Sequence, residues 1–309
     1  MKAVRMHEFG GPEVLKLEDI DVPAAGRGEV LICVKGASVN PVDFKTRAGK
    51  FPLVTKDKLP ITLGRDVAGR VSALGPGTTD ASVGDEVFVN LEFDHGGFAQ
   101  YVLAKASHCA QKPHSLDFVA AASVPLAALT AWQGLFTHGG LGKGQRVLIH
   151  GAAGGVGQFA VQFARAHGAT VFATASGDGV KLVQGLGADH VIDYKHQAFE
   201  DFFRELDVVL DLVGGEMRDK SFPLLRKNGI LVSTLDEPSK ELSARYGVRS
   251  TRFTTKPNRE QLSKIARLID EGEVTPSVVR EFPLEEYANA LELVEKKHPH
   301  GKVVLRVDP

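Results

Sequence analysis

Residues 146–168 read RVLIHGAAGGVGQFAVQFARAHG, and this stretch decides the fold of the chain. It opens with a β-prone apolar run, Val147 to Ile149, passes through a cluster of small residues, and continues with apolar residues at helical spacing. We therefore expect a strand, a tight turn and a helix that begins near Gly155. The run TVFAT at 170–174 predicts the second strand that a Rossmann unit requires.

The small residues of this turn fit the fingerprint of dinucleotide-binding domains. The three glycine positions of this fingerprint are occupied here by Ala152, Gly154 and Gly157, so alanine replaces the first glycine. The fingerprint requires a tight turn, bare backbone that a pyrophosphate can approach, and a helix packed closely on the sheet. The N–H groups at Gly155 and Val156 would then face the anion. The alternative is a strand-to-helix turn with no ligand, since glycine-rich turns are common.

Length and charge limit the classes of function. A chain of 309 residues is long enough for two domains with separate cores. With 37 basic and 38 acidic side chains and a formal net charge of -1, we expect neither a nucleic acid nor a membrane surface as a partner. The N-terminus lacks the apolar core of a secretory signal and predicts an edge strand, so we expect a cytoplasmic protein. Cys33 and Cys109 do not suggest a disulfide framework.

The distribution of strand-like and helix-like segments predicts two kinds of domain. Short β-prone runs between Gly and Pro turns fill residues 1–122 and indicate a small barrel or sandwich. From 147 to 233 strand-like and helix-like runs alternate, which is typical of an α/β, doubly wound parallel sheet. Farther along we expect two helices, at 257–272 and 284–296, and two strands, at 274–280 and 301–307.

Seven motifs spread along the whole chain occur in a recognisable order. They are NPVD at 40–43, GRDVAG at 64–69, VGDEV at 83–87, GFAQY at 97–101, LTA at 129–131, GAAGGVG at 151–157 and GKVV at 301–304. Together they resemble the medium-chain dehydrogenase/reductase superfamily, in its zinc-free NADPH:quinone oxidoreductase branch. The resemblance implies a GroES-like β-barrel domain, residues 1–122 and 264–309, and a Rossmann domain, residues 123–263. It also implies that cofactor and substrate meet in the cleft between these domains.

The resemblance also implies that no metal is bound. Zinc-dependent relatives carry a cysteine within the segment matching 40–43, and Gly-His-Glu where this chain has Gly64-Arg65-Asp66. Tetrahedral zinc needs thiolate, imidazole or carboxylate ligands at one point, and Asp43 and Asp66 stand here without a Cys or His. We therefore expect hydride transfer from NADPH to a quinone or an α,β-unsaturated carbonyl acceptor, whose delocalised charge depends less on a Lewis acid.

The identity of the nicotinamide cofactor depends on the residues after the second strand. NAD-specific domains usually place an Asp or Glu there, to accept from the ribose 2′-OH. Here Ser176 follows the strand, Lys181 lies in the next helix, and the resemblance adds Tyr194 near the adenosine phosphate. These residues favour NADPH. Asp178 can take the 2′-OH instead, which leaves NADH as the alternative.

Candidate catalytic residues follow from the same motifs. Asn40 is predicted to donate to the acceptor or to the nicotinamide ribose, and the alternative is that it caps the turn before Pro41. Thr130 resembles the threonine that lies near the nicotinamide in this family, and the alternative is a mid-helix hydroxyl bonded to its own turn. Phe44 and Phe51 are expected to form an aromatic wall for a flat acceptor, or else to pack in the core.

The resemblance extends the cofactor site to the carboxyl ends of later strands and to the C-terminal region. The residues concerned are Val213, Gly214, Ser233, Phe253 and Lys302. Enoyl-thioester reductases carry a tyrosine where this chain has Phe51, so that activity is a weaker alternative. A structural or RNA-interacting role with NADPH bound is an alternative of another class. We expect a homodimer, because relatives pair through the edge of the Rossmann sheet.

Overall fold

The structure is a computed structural model that describes residues 1–297 and 299–308. Its strands are β1 (Lys2–Met6), β2 (Leu15–Asp19), β3 (Glu29–Val39), β4 (Ile61–Thr62), β5 (Asp66–Leu74), β6 (Glu86–Asn90), β7 (Tyr101–Lys105), β8 (Ala110–Gln111), β9 (Arg146–Ile149), β10 (Thr170–Ala175), β11 (His190–Asp193), β12 (Leu206–Asp211), β13 (Leu225–Ser233), β14 (Arg249–Arg252), β15 (Val278–Pro283) and β16 (Lys302–Arg306). Its α-helices are α1 (Pro41–Arg47), α2 (Phe118–Ala122), α3 (Pro125–Trp132), α4 (Gly155–Ala166), α5 (Asp178–Gly185), α6 (Gly215–Lys220), α7 (Lys240–Tyr246), α8 (Arg259–Asp270) and α9 (Tyr287–Lys297).

The described chain divides into two compact units. The first unit comprises Met1–Leu126, Pro257–Gly272 and the chain from Pro276 onward, and the second comprises Ala127–Lys256 and Glu273–Thr275. The first unit extends to Leu126 because the N–H of Leu126 donates to the carboxylate of Asp66 in β5, at 2.7 Å. The chain returns to the first unit before α8, which packs on β8. The predicted domain limits at 122 and 263 stay predictions.

The second unit contains a parallel sheet in the order β11-β10-β9-β12-β13-β14. Val147 of β9 lies opposite Val171 of β10 on one side and Val208 of β12 on the other. Every residue of β12 is buried, as expected for a parallel strand with both faces covered. This topology confirms the predicted doubly wound sheet. The edge strand β14 was not predicted, because its sequence RSTR has no apolar pattern.

The first unit is built mainly from antiparallel strands. One sheet has the order β15-β16-β3-β5-β6-β8, with β7 also paired to β3, and another has the order β2-β1-β4. β3 and β5 approach closely at Gly69, where a Cβ would lie 2.2 Å from the carbonyl oxygen of Cys33. The glycine that interrupts the apolar pattern of β5 therefore permits the pairing.

Two local predictions for the first unit are wrong. The N-terminal strand is not an edge strand, since β1 pairs with β2 on one side and with β4 on the other. The strand expected at 274–280 is displaced toward the C-terminus. It runs from Val278 to Pro283, and Pro276 precedes it. In the described residues, no helix has the length and apolar character needed to cross a membrane.

Candidate functional site

The glycine-rich turn after β9 has the shape that the sequence predicts. Gly151 has φ 68°, a left-handed conformation that favours glycine, and it turns the chain from the strand toward α4. Ala152 is buried and its N–H donates to the carbonyl of Thr174 in β10, at 3.2 Å, so the turn is tied to the neighbouring strand. Gly154 is the N-cap of α4, which begins at Gly155.

Gly154 and Gly157 differ in what surrounds them. A Cβ built on Gly157 would lie 2.3 Å from the Gly151 carbonyl oxygen and 2.6 Å from the Cα of Ala152, so only glycine lets α4 pack on the turn. A Cβ on Gly154 would meet only the Gly151 oxygen, at 3.3 Å. The chain itself thus has little need of a glycine at 154. The space beside Gly154 is what a ligand approaching the backbone requires.

The first turn of α4 can hold an anion. No side chain caps this helix, and the N–H groups of its first turn have no intrahelical acceptor. Gly155 and Val156 in this turn are half-buried. In a helix of 12 residues these N–H groups carry the positive end of the dipole. A pyrophosphate therefore fits this turn by shape and by charge.

The predicted residues for the adenosine end lie beside one another after β10 and β11. The Ser176 hydroxyl donates to the Tyr194 hydroxyl at 3.3 Å, and both side chains are accessible. Lys181 lies exposed on α5. The sequence did not reveal Asp193, whose carboxylate accepts from the N–H of Gly177 at 3.4 Å. A carboxylate this close to the turn at Ser176 opposes binding of a ribose 2′-phosphate.

A second turn, after β12, is held by Asp211. The buried Asp211 carboxylate accepts from the N–H groups of Val213 at 3.0 Å and Gly214 at 2.8 Å, and from the Ser233 hydroxyl at 2.8 Å. Val213 is 45% exposed, and its side chain would be 3.2 Å from a Cβ on Gly151. The structure thus brings the two turns together. The Ser233 hydroxyl is already committed to Asp211 and supports the turn.

Two further predicted residues, Thr130 and Phe253, lie within the second unit. The Thr130 hydroxyl is 2.7 Å from the Thr255 hydroxyl, so it has a partner outside its own helix. Phe253 is buried, and its ring stacks on His138 with centroids 4.5 Å apart. The N–H of Phe253 donates to the carbonyl of Ser233, so Phe253 follows directly on the turn region.

His150, the residue before the fingerprint turn, was not identified from the sequence. Its ring is fully buried, with Nδ1 2.9 Å from the Thr174 hydroxyl and Nε2 2.7 Å from the Ser221 hydroxyl. Ser221 donates its own proton to the carbonyl of Met217, so it accepts from Nε2–H of His150. Burial lowers the pKa of His150 to about 4, so the ring is neutral at physiological pH. A single histidine directly after an apolar strand gives no sign in the sequence of such partners.

In the first unit, Asn40 lies at the centre of a buried polar cluster. Its amide Nδ2 donates to Asp66 at 2.9 Å and to the Ser38 carbonyl at 3.2 Å, and its Oδ1 accepts from Lys302. Lys302 also donates to the Val39 carbonyl at 3.2 Å. Both amide N–H groups are engaged within the unit, so the predicted donor role would require one of these bonds to be exchanged. The predicted contact of Lys302 with the cofactor stays a prediction.

The carboxyls beside Asn40 are kept from water. Asp43, in α1, accepts from the backbone N–H of Asn40 at 2.8 Å, as in a capping arrangement. Burial raises the pKa of Asp43 to about 7, and it also raises the pKa of Asp66. Lys302 acts in the opposite direction on the pKa of both carboxyls. Burial therefore disfavours the charged form of both carboxyls.

The aromatic wall predicted from Phe44 and Phe51 stays a prediction. Phe51 lies against Phe93, with ring centroids 4.8 Å apart, whereas Phe44 packs on the hydrophobic core of the first unit. Phe93 was not named from the sequence, since nothing in the stretch around it sets it apart. Among the described residues, no group of three or more His, Cys, Asp or Glu side chains is placed to hold a metal ion. The predicted lack of zinc stays a prediction.

Two family models match separate parts of the chain, and relatives and solved structures match nearly all of it. A family model described as an alcohol dehydrogenase GroES-like domain matches residues 26–114, and one described as a zinc-binding dehydrogenase matches residues 186–305. The chain is 37% identical over 317 residues to the NADPH-dependent alkenal/one oxidoreductase, chloroplastic, of Arabidopsis thaliana, covering 99% of the chain and 79% of that protein. These matches confirm the predicted GroES-like domain.

Two solved structures show the same fold. The quinone oxidoreductase from Coxiella burnetii superposes with a TM-score of 0.92 at 36% identity and covers 100% of this chain and 99% of that one. The Escherichia coli quinone oxidoreductase complexed with NADPH superposes with a TM-score of 0.90 at 26% identity, covering 99% and 100% of the two chains. The chain therefore belongs to the medium-chain dehydrogenase/reductase superfamily, in its zinc-free quinone oxidoreductase branch.

Proposed function

We propose that this protein transfers a hydride from NADPH to a quinone or to an α,β-unsaturated carbonyl compound without zinc. The observation that carries the proposal is the bare, uncapped turn at Gly154, which has the shape and polarity that a dinucleotide pyrophosphate needs. Two relatives support the choice of cofactor and acceptor. The Arabidopsis relative is named for NADPH-dependent action on alkenals and alkenones, and the Escherichia coli quinone oxidoreductase is complexed with NADPH.

The reaction balances without a metal. NADPH held at the turn of Gly154 would supply the hydride, which is two electrons and one proton, and would itself be oxidised to NADP⁺. With an enone acceptor, the new C–H bond forms at the β-carbon, the π electrons move toward the carbonyl, and the oxygen carries the charge of an enolate. A proton from water at the α-carbon then gives the saturated ketone. The part of the protein is to hold the acceptor in line and to stabilise that oxygen.

The preference for NADPH rests on the turn after β10. Two hydroxyls, those of Ser176 and Tyr194, meet there and can donate to a 2′-phosphate, and Lys181 can supply positive charge from α5. Asp193 opposes this choice, because its carboxylate lies beside Gly177. We therefore expect a measurable but moderate preference for NADPH over NADH, and the ratio of the two dissociation constants tests it.

The decisive variant is Gly154→Val. A Cβ at 154 would contact only the Gly151 carbonyl oxygen, at 3.3 Å, and the rest of the side chain is expected to occupy the space proposed for the pyrophosphate, so the thermal midpoint should stay within a few degrees of wild type. Binding of NADPH, followed by the fluorescence of the reduced nicotinamide, should weaken by about 100-fold or more, corresponding to roughly 3 kcal/mol. Turnover should be measured with a panel of quinones and enones, following loss of NADPH absorbance.

The outcomes separate the possible roles. Wild-type protein that binds NADPH and reduces members of the panel supports the proposal, whereas binding with no turnover of any acceptor would indicate a binding role for the same fold. Reduction of enoyl thioesters in preference to quinones would favour the thioester alternative, for which Phe51 offers no proton donor. A cytoplasmic location and a homodimer stay predictions, and light scattering of the purified protein tests the second.

A further inference from the structure

Arg65 carries a buried charge with no bonded partner. The residue is only 8% exposed, and its Nη1 is shielded from solvent with no hydrogen-bond acceptor. Within the part of the chain that the structure describes, neither a hydrogen bond nor an ion pair joins the Arg65 side chain to a carboxylate. A buried guanidinium without such a partner is unusual, because arginine is seldom buried unless it is paired.

The carboxylates near Arg65 are committed elsewhere. Asp66 accepts from the Ser38 hydroxyl at 2.8 Å, from the Asn40 amide and from the N–H of Leu126, and Asp43 accepts from the backbone of Asn40. Both carboxylates act on Arg65 only through space and raise its pKa. Burial acts more strongly in the opposite direction and lowers the pKa of Arg65 to about 10, which still leaves the guanidinium charged at neutral pH.

Arg65 is held in place by an aromatic face. Its Cζ lies 3.5 Å from the centroid of the Phe93 ring, which is close enough for a strong cation–π contact. Phe93 in turn lies against Phe51, the residue expected to line the acceptor pocket. The three side chains form a continuous array of two aromatic rings and one planar cation. Such an array suits a flat, conjugated molecule that carries an oxygen at one end.

We propose that Arg65 binds the oxygen of the acceptor and stabilises the negative charge that hydride transfer places on it. This inference rests on the proposed function. No bond is made or broken at Arg65: its N–H donates to the carbonyl oxygen and continues to donate as that oxygen becomes an enolate or phenolate. The oxygen meets the part of the guanidinium that solvent reaches, since Nη1 itself is shielded.

The first test is Arg65→Met, which removes the charge and keeps most of the volume. If Arg65 serves the acceptor, kcat should fall by about 10²-fold or more, the range seen when one preorganised oxyanion donor is removed. The dissociation constant of NADPH should not change. The thermal midpoint should stay the same or rise, since an apolar side chain replaces an unpaired buried charge.

Arg70, five residues farther along the chain, provides a matched control. Arg70 in β5 also contacts an aromatic ring, with its Cζ 5.7 Å from the centroid of Phe118, but it is exposed and paired with Glu86. Arg70→Met should therefore leave kcat within about twofold of wild type. If Arg65→Met lowers the thermal midpoint while kcat per folded molecule is unchanged, Arg65 is a structural residue and the inference is wrong.

The second test does not depend on turnover. 4-Nitrophenol is a planar phenol whose phenolate form absorbs visible light, so its titration in the presence of saturating protein reports the pKa of the bound phenol. Wild-type protein should lower the pKa of the bound phenol and Arg65→Met should not. If no acceptor is reduced but the phenolate is bound through Arg65, the proposed function fails and the oxyanion site stands. If wild-type protein and Arg65→Met reduce quinones equally well, the proposed function stands and the oxyanion role of Arg65 is wrong.

Discussion

Gly157→Ala should disturb the dinucleotide turn from within the protein. The added Cβ would lie 2.3 Å from the Gly151 carbonyl oxygen, 2.6 Å from the Cα of Ala152 and 2.7 Å from its carbonyl carbon. All three are backbone atoms, so no side chain can rotate away, and α4 must shift relative to the turn. Overpacking of this kind costs about 1–3 kcal/mol, and the rigid surroundings place this site near the upper end.

The net change in the free energy of unfolding is the cost of overpacking minus the stability that alanine adds to a helix. Replacing glycine inside a helix by alanine is worth about 0.5–1 kcal/mol, so the expected net loss is about 2 kcal/mol in the free energy of unfolding. For a chain of this size each kcal/mol corresponds to roughly 2–4 °C, which predicts a thermal midpoint about 4–8 °C lower. NADPH affinity should fall as well, because the N–H groups of Gly155 and Val156 move with the helix.

The same substitution at Gly185 is the matched control. Gly185 is the last residue of α5 in the same unit, and a Cβ there would meet nothing within 4 Å. Gly185→Ala should leave the thermal midpoint unchanged or slightly raised, with unaltered NADPH binding. Differential scanning calorimetry with and without NADPH measures both effects. Equal midpoints for the two alanine variants would refute the argument that close packing at 157 demands glycine.

Two further predictions concern the stability of each unit. The pKa of His150 is lowered in the folded state, so the unfolded chain binds more protons below pH 6.5, and the free energy of unfolding should fall as the pH drops from 6.5 toward 4. Denaturant titrations of wild type and His150→Gln across that range should diverge, and parallel curves would contradict the buried neutral ring. Arg47 donates to the half-buried Glu295 at 3.0 Å, so Arg47→Ala should cost about 1–2 kcal/mol. Lys264→Ala, which removes an exposed pair, should cost under about 0.5 kcal/mol by the same measurement, and equal losses would refute the distinction.

Periodicity made the second unit largely predictable from the sequence. β9, the turn and α4 follow one another within a short stretch, and their apolar spacing changes from that of a strand to that of a helix at Gly155. The helix predicted at 257–272 and the strand predicted at 301–307 were found for the same reason, as α8 and β16. Local patterns carry this information because one face of each element is buried.

The errors and omissions share a different cause. Whether β1 lies at an edge depends on β2 and β4, which approach it from elsewhere in the chain, so no local pattern reveals it. The partners of His150 and the unpaired state of Arg65 are likewise set by residues distant in sequence. A sequence shows which side chains can ionise. It does not show which of them the fold buries together, and that is what sets the charge of the site.

The network around Asn40 divides the hydrogen-bonding roles in the first unit. Both amide hydrogens of Asn40 point at acceptors of its own unit, and Lys302 takes one side of Oδ1, so the remaining capacity of this side chain is that of an acceptor. An acceptor suits a hydroxyl group of a ligand and repels an enolate or phenolate. The developing oxyanion therefore needs a donor elsewhere, and we assign that role to Arg65, whose buried guanidinium has no hydrogen-bond acceptor among the described residues. The substitution Asn40→Asp would keep a hydrogen-bond acceptor at this position but add a negative charge. It should therefore destabilise the buried polar cluster, and it should not supply the donor that we assign to Arg65.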